Sequence, residues 1–124
     1  VEETFYDQVG GLPFFHRLVD AFYEAVETDE LLRPMYPDDL TDSKRHFELF
    51  LAQYWGGPKT YAEERGHPRL RMRHAPFRIT KSARDAWLTA MAAALSAVQD
   101  DLSEEQFIEL HSYFEMAAHQ MRNV

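Results

Sequence analysis

Apolar residues recur at steps of three and four along most of this chain, and nowhere do they alternate convincingly as a half-buried strand requires. That period constrains the fold more than any other feature, because it makes helix stripes rather than sheet faces available for burial. Four segments carry it. The first runs from about Leu12 to Glu27, with Phe15, Leu18, Val19, Phe22, Tyr23 and Val26 on one side. Pro13 fits its first turn, where a missing N–H costs nothing. Gly10-Gly11 just before it lets the chain enter sharply. The second runs from Thr41 or Asp42 to about Trp55, with Phe47, Phe50, Leu51 and Tyr54 on one face, and stops at Gly56-Gly57-Pro58. The third, Thr80 to Val98, places Ala83, Ala86, Trp87, Ala90, Met91, Ala94, Leu95 and Val98 on its apolar side; its alanines permit a close helix neighbour. The fourth opens at the capping box Ser103-Glu104-Glu105-Gln106 and continues through Phe107, Leu110, Phe114, Ala117, Ala118 and Met121.

Between the first two helices, Asp29-Glu30 can open a short turn, and Pro34 and Pro37 stop regular structure. Tyr36, held between those prolines, has a restricted backbone. The stretch from Lys59 to Pro76 holds Gly66, Pro68 and Pro76 and reads as a loop with at most one or two short helices. So long an irregular connection hints at function. The predicted class is all-α, four main helices around one irregular middle.

At 124 residues and 45% apolar content, the chain suits one domain, residues 1–124, with one core. Disorder throughout is excluded by that apolar share. The absence of cysteine excludes disulfides and thiolate metal sites. It fits a reducing cytosol, and a cytoplasmic location is expected. The longest apolar stretch, Ala86 to Val98, contains Thr89 and Ser96 and has charged flanks. It falls short of the ~20 residues of a spanning helix. No signal peptide is expected from Val-Glu-Glu-Thr, which lacks a basic region followed by an apolar run.

The formal net charge is −8, from 13 basic and 21 acidic residues. That balance argues against a general nucleic-acid binder. It is unevenly spread. Arg65, Arg69, Arg71, Arg73, Arg78, Lys81 and Arg84 lie in a stretch without a single acid. The other six basic residues face all 21 acids, so a +7 segment sits inside a −15 remainder. Such a segment is either a solvated basic loop or a site for phosphates or carboxylates.

Six histidines are the first source of chemistry: His16, His46, His67, His74, His111 and His119. Glu64 and His67 have the E-x-x-H spacing of di-iron bundles, but Gly66 and Pro68 break the helix that spacing needs. His111, Glu115 and His119 form an i, i+4, i+8 row able to bind a metal. The row flanks an apolar stripe, so it reads better as a solvated edge. His74 differs. It sits in Arg-Met-Arg-His-Ala-Pro-Phe, where basic neighbours favour a neutral ring able to coordinate a metal. Taken alone, it is more often structural. Tyr23, Tyr36 and Trp87 are the remaining candidates. Each is commonly a core aromatic with one polar atom satisfied. Converging in an apolar pocket, they would suit a polar, partly negative ligand.

Together these residues resemble a known family. Phe5-Tyr6-Asp7-Gln8-Val9-Gly10-Gly11, Tyr23, Met35-Tyr36-Pro37, Tyr54-Trp55-Gly56-Gly57-Pro58, the block Gly66 to Phe77 and Ala86-Trp87-Leu88 follow, in order, the pattern of the truncated haemoglobins. The tyrosine after the first helix and the tryptophan on the third point to the second of the family's three groups, typified by actinobacterial proteins. The resemblance implies a two-over-two helical sandwich around haem b, with His74 as the proximal iron ligand. It implies that Arg73 faces the haem propionates, with His67 and Tyr61 near them. Phe47, Phe50, Phe77 and Met91 are expected as apolar walls. Trp87 and Tyr36 are expected as hydrogen-bond donors to the bound ligand, with Tyr23 in their network. The usual distal-histidine position aligns with Ser43. His46, one turn on, is either the nearest distal histidine or a propionate contact.

The implied function is binding of dioxygen and related ligands (carbon monoxide, nitric oxide, sulfide), with peroxidase-like chemistry or nitric-oxide oxidation as redox roles. A reductase partner is expected, no nucleic-acid partner, and a homo-oligomer is compatible. The alternative is a haem-free helical interaction module whose basic segment meets an acidic partner.

Overall fold

A computed structural model describes residues 2–124. Helix α1 (Phe5–Gln8) is followed by α2 (Leu12–Glu27), α3 (Thr41–Tyr54), α4 (Thr60–Arg65), α5 (Leu70–His74), α6 (Lys81–Val98) and α7 (Glu104–Met121). Short 3-10 turns occupy Arg33–Met35 and Gln99–Asp101, and there is no strand among the described residues. The four long helices match the four periodic segments. Their N-terminal caps follow the sequence: the Thr80 side chain accepts from the Ala83 N–H at 3.1 Å, and Ser103 closes a capping box with Gln106.

The molecule is built as two helix pairs, α2 with α3 and α6 with α7, joined by an extensive α2–α6 interface. Helix α2 is the spine. Phe14, Phe15, Leu18, Val19, Phe22, Tyr23 and Val26 are all buried along it. Small residues on α6, Ala90 and Ala94, let α2 approach closely, and Met91, Leu95 and Val98 complete the contact. From α7, Leu110 and Phe114 enter the same core. Among the described residues, no helix is long and apolar enough to cross a membrane.

Helix α3 departs from the stripe expected of it. Only Leu51 of the four predicted face residues is buried. Phe47 and Phe50 are half-buried and Tyr54 is 50% exposed. The reason is geometric. One side of the α3 aromatic face packs on the core, and the chain itself does not fully cover the rest.

Helix α1 was not anticipated. Thr4 and Asp7 form a capping box around it, and the Tyr6 N–H donates to the Trp55 carbonyl at 2.9 Å. This explains the paired glycines after α3. A Cβ on Gly57 would stand 2.6 Å from the Tyr6 ring and 2.8 Å from the Ala52 carbonyl, and Gly56 has φ +98°. The pair ends α3 and also lets the N-terminal turn pack onto it.

Candidate functional site

His74 closes α5, whose start is set by an unusual residue. Arg69 adopts a left-handed conformation at φ 45°, and its N–H donates to Nδ1 of His67 at 3.0 Å. His67 is therefore a local cap with its Nε2–H free to donate outward, and its ring is exposed. Arg73 braces the same turn. Its Nε donates to the Pro68 carbonyl at 2.8 Å and one Nη to the Arg65 carbonyl at 3.2 Å.

His74 itself is half-buried, with Nδ1 2.6 Å from the Leu70 carbonyl oxygen. A carbonyl can only accept, so Nδ1 carries the hydrogen, and in the neutral ring Nε2 then holds the lone pair. This is the arrangement of a metal-ligating imidazole, its second nitrogen fixed by a backbone carbonyl.

Asn123, just beyond α7, holds the segment in place. It was missed in the sequence, where a lone asparagine after a helix carries no signal. Its Oδ1 accepts from the Ile79 N–H at 2.9 Å, and its Nδ2 donates to the Phe77 carbonyl at 2.9 Å and the His74 carbonyl at 3.4 Å.

Tyr23, Tyr36 and Trp87 come from three different elements and share one aromatic cluster. The Tyr23 and Tyr36 rings meet edge-on, with centroids 5.5 Å apart. Phe22 lies 5.3 Å from Trp87 and 5.5 Å from Phe47. Burial pushes the Tyr36 hydroxyl up to about 12, and the nearby Trp87 indole opposes the rise. Burial, with Tyr36 alongside, raises the Tyr23 hydroxyl further. Both phenols therefore stay protonated at neutral pH and remain donors.

The loop that carries Tyr36 is fixed by more than its prolines. Arg33 donates to the Pro37 and Asp38 carbonyls at 2.9 Å and to the Tyr36 carbonyl at 3.4 Å. Pro34 and Pro37 restrict this backbone locally, and the arginine's carbonyl contacts form only in the folded loop.

The remaining expected site residues divide. Phe50 packs edge-on against buried Tyr61 at 5.7 Å, and the Arg65 guanidinium lies 5.8 Å from the Tyr61 ring. Met91 is 1% exposed, within the core. Phe77 stands apart: it is 45% exposed and lines a cleft beside the end of α7, away from the aromatic cluster. His46 is engaged with Arg65, whose guanidinium donates to its Nδ1 at 2.9 Å. Burial first, and Arg65 second, lower the tendency of His46 to protonate. His111 and Glu115 are exposed and 3.8 Å apart, while Nδ1 of His119 accepts from Arg84. No metal-holding cluster of three or more histidine or acidic residues occurs among the described residues.

The family model for bacterial-like globins matches residues 4–122. The chain belongs to the bacterial-like globin family, as a group II truncated haemoglobin. It is 51% identical to a haemoglobin from the thermophilic phototroph Chloroflexus aurantiacus, with a TM-score of 0.94 over 99% of this chain and 100% of the other. Against a thermostable haemoglobin of the actinobacterium Thermobifida fusca the identity is 50% and the TM-score 0.95, over 98% of each chain. The group 2 truncated haemoglobin of Bacillus subtilis is 44% identical over 91% of this chain and 84% of its own length.

The family implies haem-based binding of small gaseous ligands and does not favour the haem-free alternative. The globin's own residues fit that cofactor. It offers an imidazole with a free nitrogen, aromatic rings left half-covered on α3 and α6, and basic side chains around the turn that presents His74.

Proposed function

We propose that this globin holds haem b through Nε2 of His74 and retains a diatomic or small anionic ligand by hydrogen bonds from Trp87, Tyr36 and Tyr23. The observation that carries the reading is the His74 geometry: Nδ1 is committed to Leu70 at 2.6 Å, leaving one nitrogen able to ligate. Bound haem would supply an iron that takes dioxygen, carbon monoxide or nitric oxide when ferrous and an anion such as sulfide when ferric, with negative charge placed on a ligand such as dioxygen.

The protein's part is to receive that charge. The Trp87 indole can only donate. It lies near Tyr36, against whose ring Tyr23 packs, so the three donors belong to one neighbourhood. Protonated phenols supply further donors. Phe47 and Phe50 offer flat apolar surface for the porphyrin, and Met91 lies within the core. His67, through its outward Nε2–H, and Arg73 supply cationic or donor groups for the propionates, and Tyr61 lies under Arg65 at the same edge. Keeping the iron ferrous requires a reductase partner.

Haem reconstitution followed by resonance Raman spectroscopy tests the assignment. The ferrous protein is expected to show an iron–histidine stretch that disappears in His74→Ala. An unchanged stretch in that variant would overturn His74 as the ligand.

A further inference from the structure

Beside the turn that presents His74 lies a cleft of about 790 Å³ between the α5–α6 connection and the end of α7. Its character comes from Arg71, Met72, Phe77, Arg78, Met121 and Arg122, and no acidic residue lines it. Met72 is 60% exposed and Phe77 45% exposed. Three arginines elsewhere pair with carboxylates, Arg17 with Asp101, Arg45 with Glu64 and Arg84 with Asp85, while Arg33, Arg65 and Arg73 reach carbonyl or imidazole acceptors. Arg71 and Arg78 have no hydrogen-bond or carboxylate partner among the described residues, and Arg122 reaches only the Val124 carbonyl.

Exposed Arg, Met and Phe without Lys, Asp or Glu is the composition of the buried centre of a protein interface. The cleft's positive charge is also opposite in sign to the chain's net charge. A chain of net −8 repels acidic partners in general, so unpaired guanidinium groups here would steer one to this place.

The position suggests the partner's chemistry. Ala75 and Pro76, on the cleft wall, directly follow His74, and Asn123 ties the wall's carbonyls to the end of α7. We propose that this cleft docks an acidic one-electron carrier protein that reduces the globin beside its proximal histidine. The electron-transfer half of this proposal rests on the haem assignment above; the docking half does not. In the transfer itself one electron leaves the carrier, which is oxidised, and ferric iron is reduced, with no bond made or broken.

An acidic [2Fe–2S] ferredoxin is the probe. Its affinity is measured by calorimetry at low and high salt, and its contacts by amide chemical-shift changes. Binding is expected to weaken with salt, to perturb residues around Met72 and Phe77, and to fall by about tenfold or more in the Arg71→Glu, Arg78→Glu double variant. Lys59→Glu, an exposed charge outside the cleft, is expected to change it far less. Reduction of haem-loaded protein by the ferredoxin should slow in parallel, while reduction by dithionite stays unchanged.

Equal loss in Lys59→Glu, or shifts elsewhere on the surface, would overturn the docking site. Cleft binding with an unaltered reduction rate in the double variant would overturn the electron-transfer role. Concentration-dependent self-association abolished by the double variant would assign the cleft to a second copy instead. Failure of the chain to take up haem would remove the haem assignment while leaving the binding measurement readable.

Discussion

Trp87 and Tyr36 show what a single side chain can decide. An indole N–H has no acceptor role, so its hydrogen bond has one direction, and any negative charge arriving near it is stabilised. A hydrogen bond to a charged group contributes about 1.5–3 kcal/mol. Trp87→Phe keeps most of the ring packing against Phe22 and Phe114 and removes the donor. Dioxygen release, followed by stopped flow, should then accelerate by about 10–100-fold; an unaltered rate would remove Trp87 from the donor network. Gly57 is decisive for the opposite reason, because it has no side chain. Gly57→Ala would drive a methyl group into the Tyr6 ring and the Ala52 carbonyl. A loss of about 1–3 kcal/mol in denaturant unfolding is expected, as for other overpacked sites.

At the scale of elements, the connections matter more than the helices. The loop between α2 and α3 places Tyr36 because Arg33 gathers three successive carbonyls, those of Tyr36, Pro37 and Asp38. Replacing Arg33 with Met keeps its stem and deletes those bonds. Stability should fall by about 1.5 kcal/mol, the low end for a charged donor. Amide exchange should quicken from Tyr36 to Asp39, and ligand release should rise less than in Trp87→Phe. Loop exchange no faster than in the parent would show that the prolines suffice. The α5 turn follows the same logic, with His67, Arg73 and Asn123 each satisfying backbone groups around His74.

Across the whole molecule, three tyrosines report on burial together. Tyr23, Tyr36 and Tyr113 all hold their protons more tightly in the folded state than the ordinary value of 10.0. Their contribution to stability is complete below pH 10. Above it the unfolded chain loses protons that the folded chain keeps, so stability drains as pH rises toward the folded values. For Tyr36, raised to about 12, the loss is of order 2–3 kcal/mol between pH 10 and 12. Alkaline unfolding followed by circular dichroism and tyrosinate absorbance should be cooperative in that window. Tyr36→Phe, which cannot ionise, should flatten the loss; an identical profile would show that Tyr36 does not contribute.

Much of the architecture was legible in the residues. The α2, α6 and α7 stripes, the Thr80 and Ser103 caps and the stop at Gly56-Gly57 are local patterns, and a helix is a local structure. Helix α1 escaped because four residues are too few to display a helical period; only its Thr4 and Asp7 box marks it. The site was half legible. Residue type and order pointed to His74, Tyr23, Tyr36 and Trp87 through a family resemblance. The sequence by itself determined the four long helices, the lone basic segment and the exclusion of thiolate ligands that follows from having no cysteine. The tertiary structure decided that Nδ1 of His74 is the committed nitrogen, that Arg33 and Asn123 hold the two site loops, that the α3 aromatic face stays half-bare and that Phe77 turns to an outer cleft. Those outcomes depend on groups far apart in the chain meeting in space, and on directional bonds that no periodicity encodes.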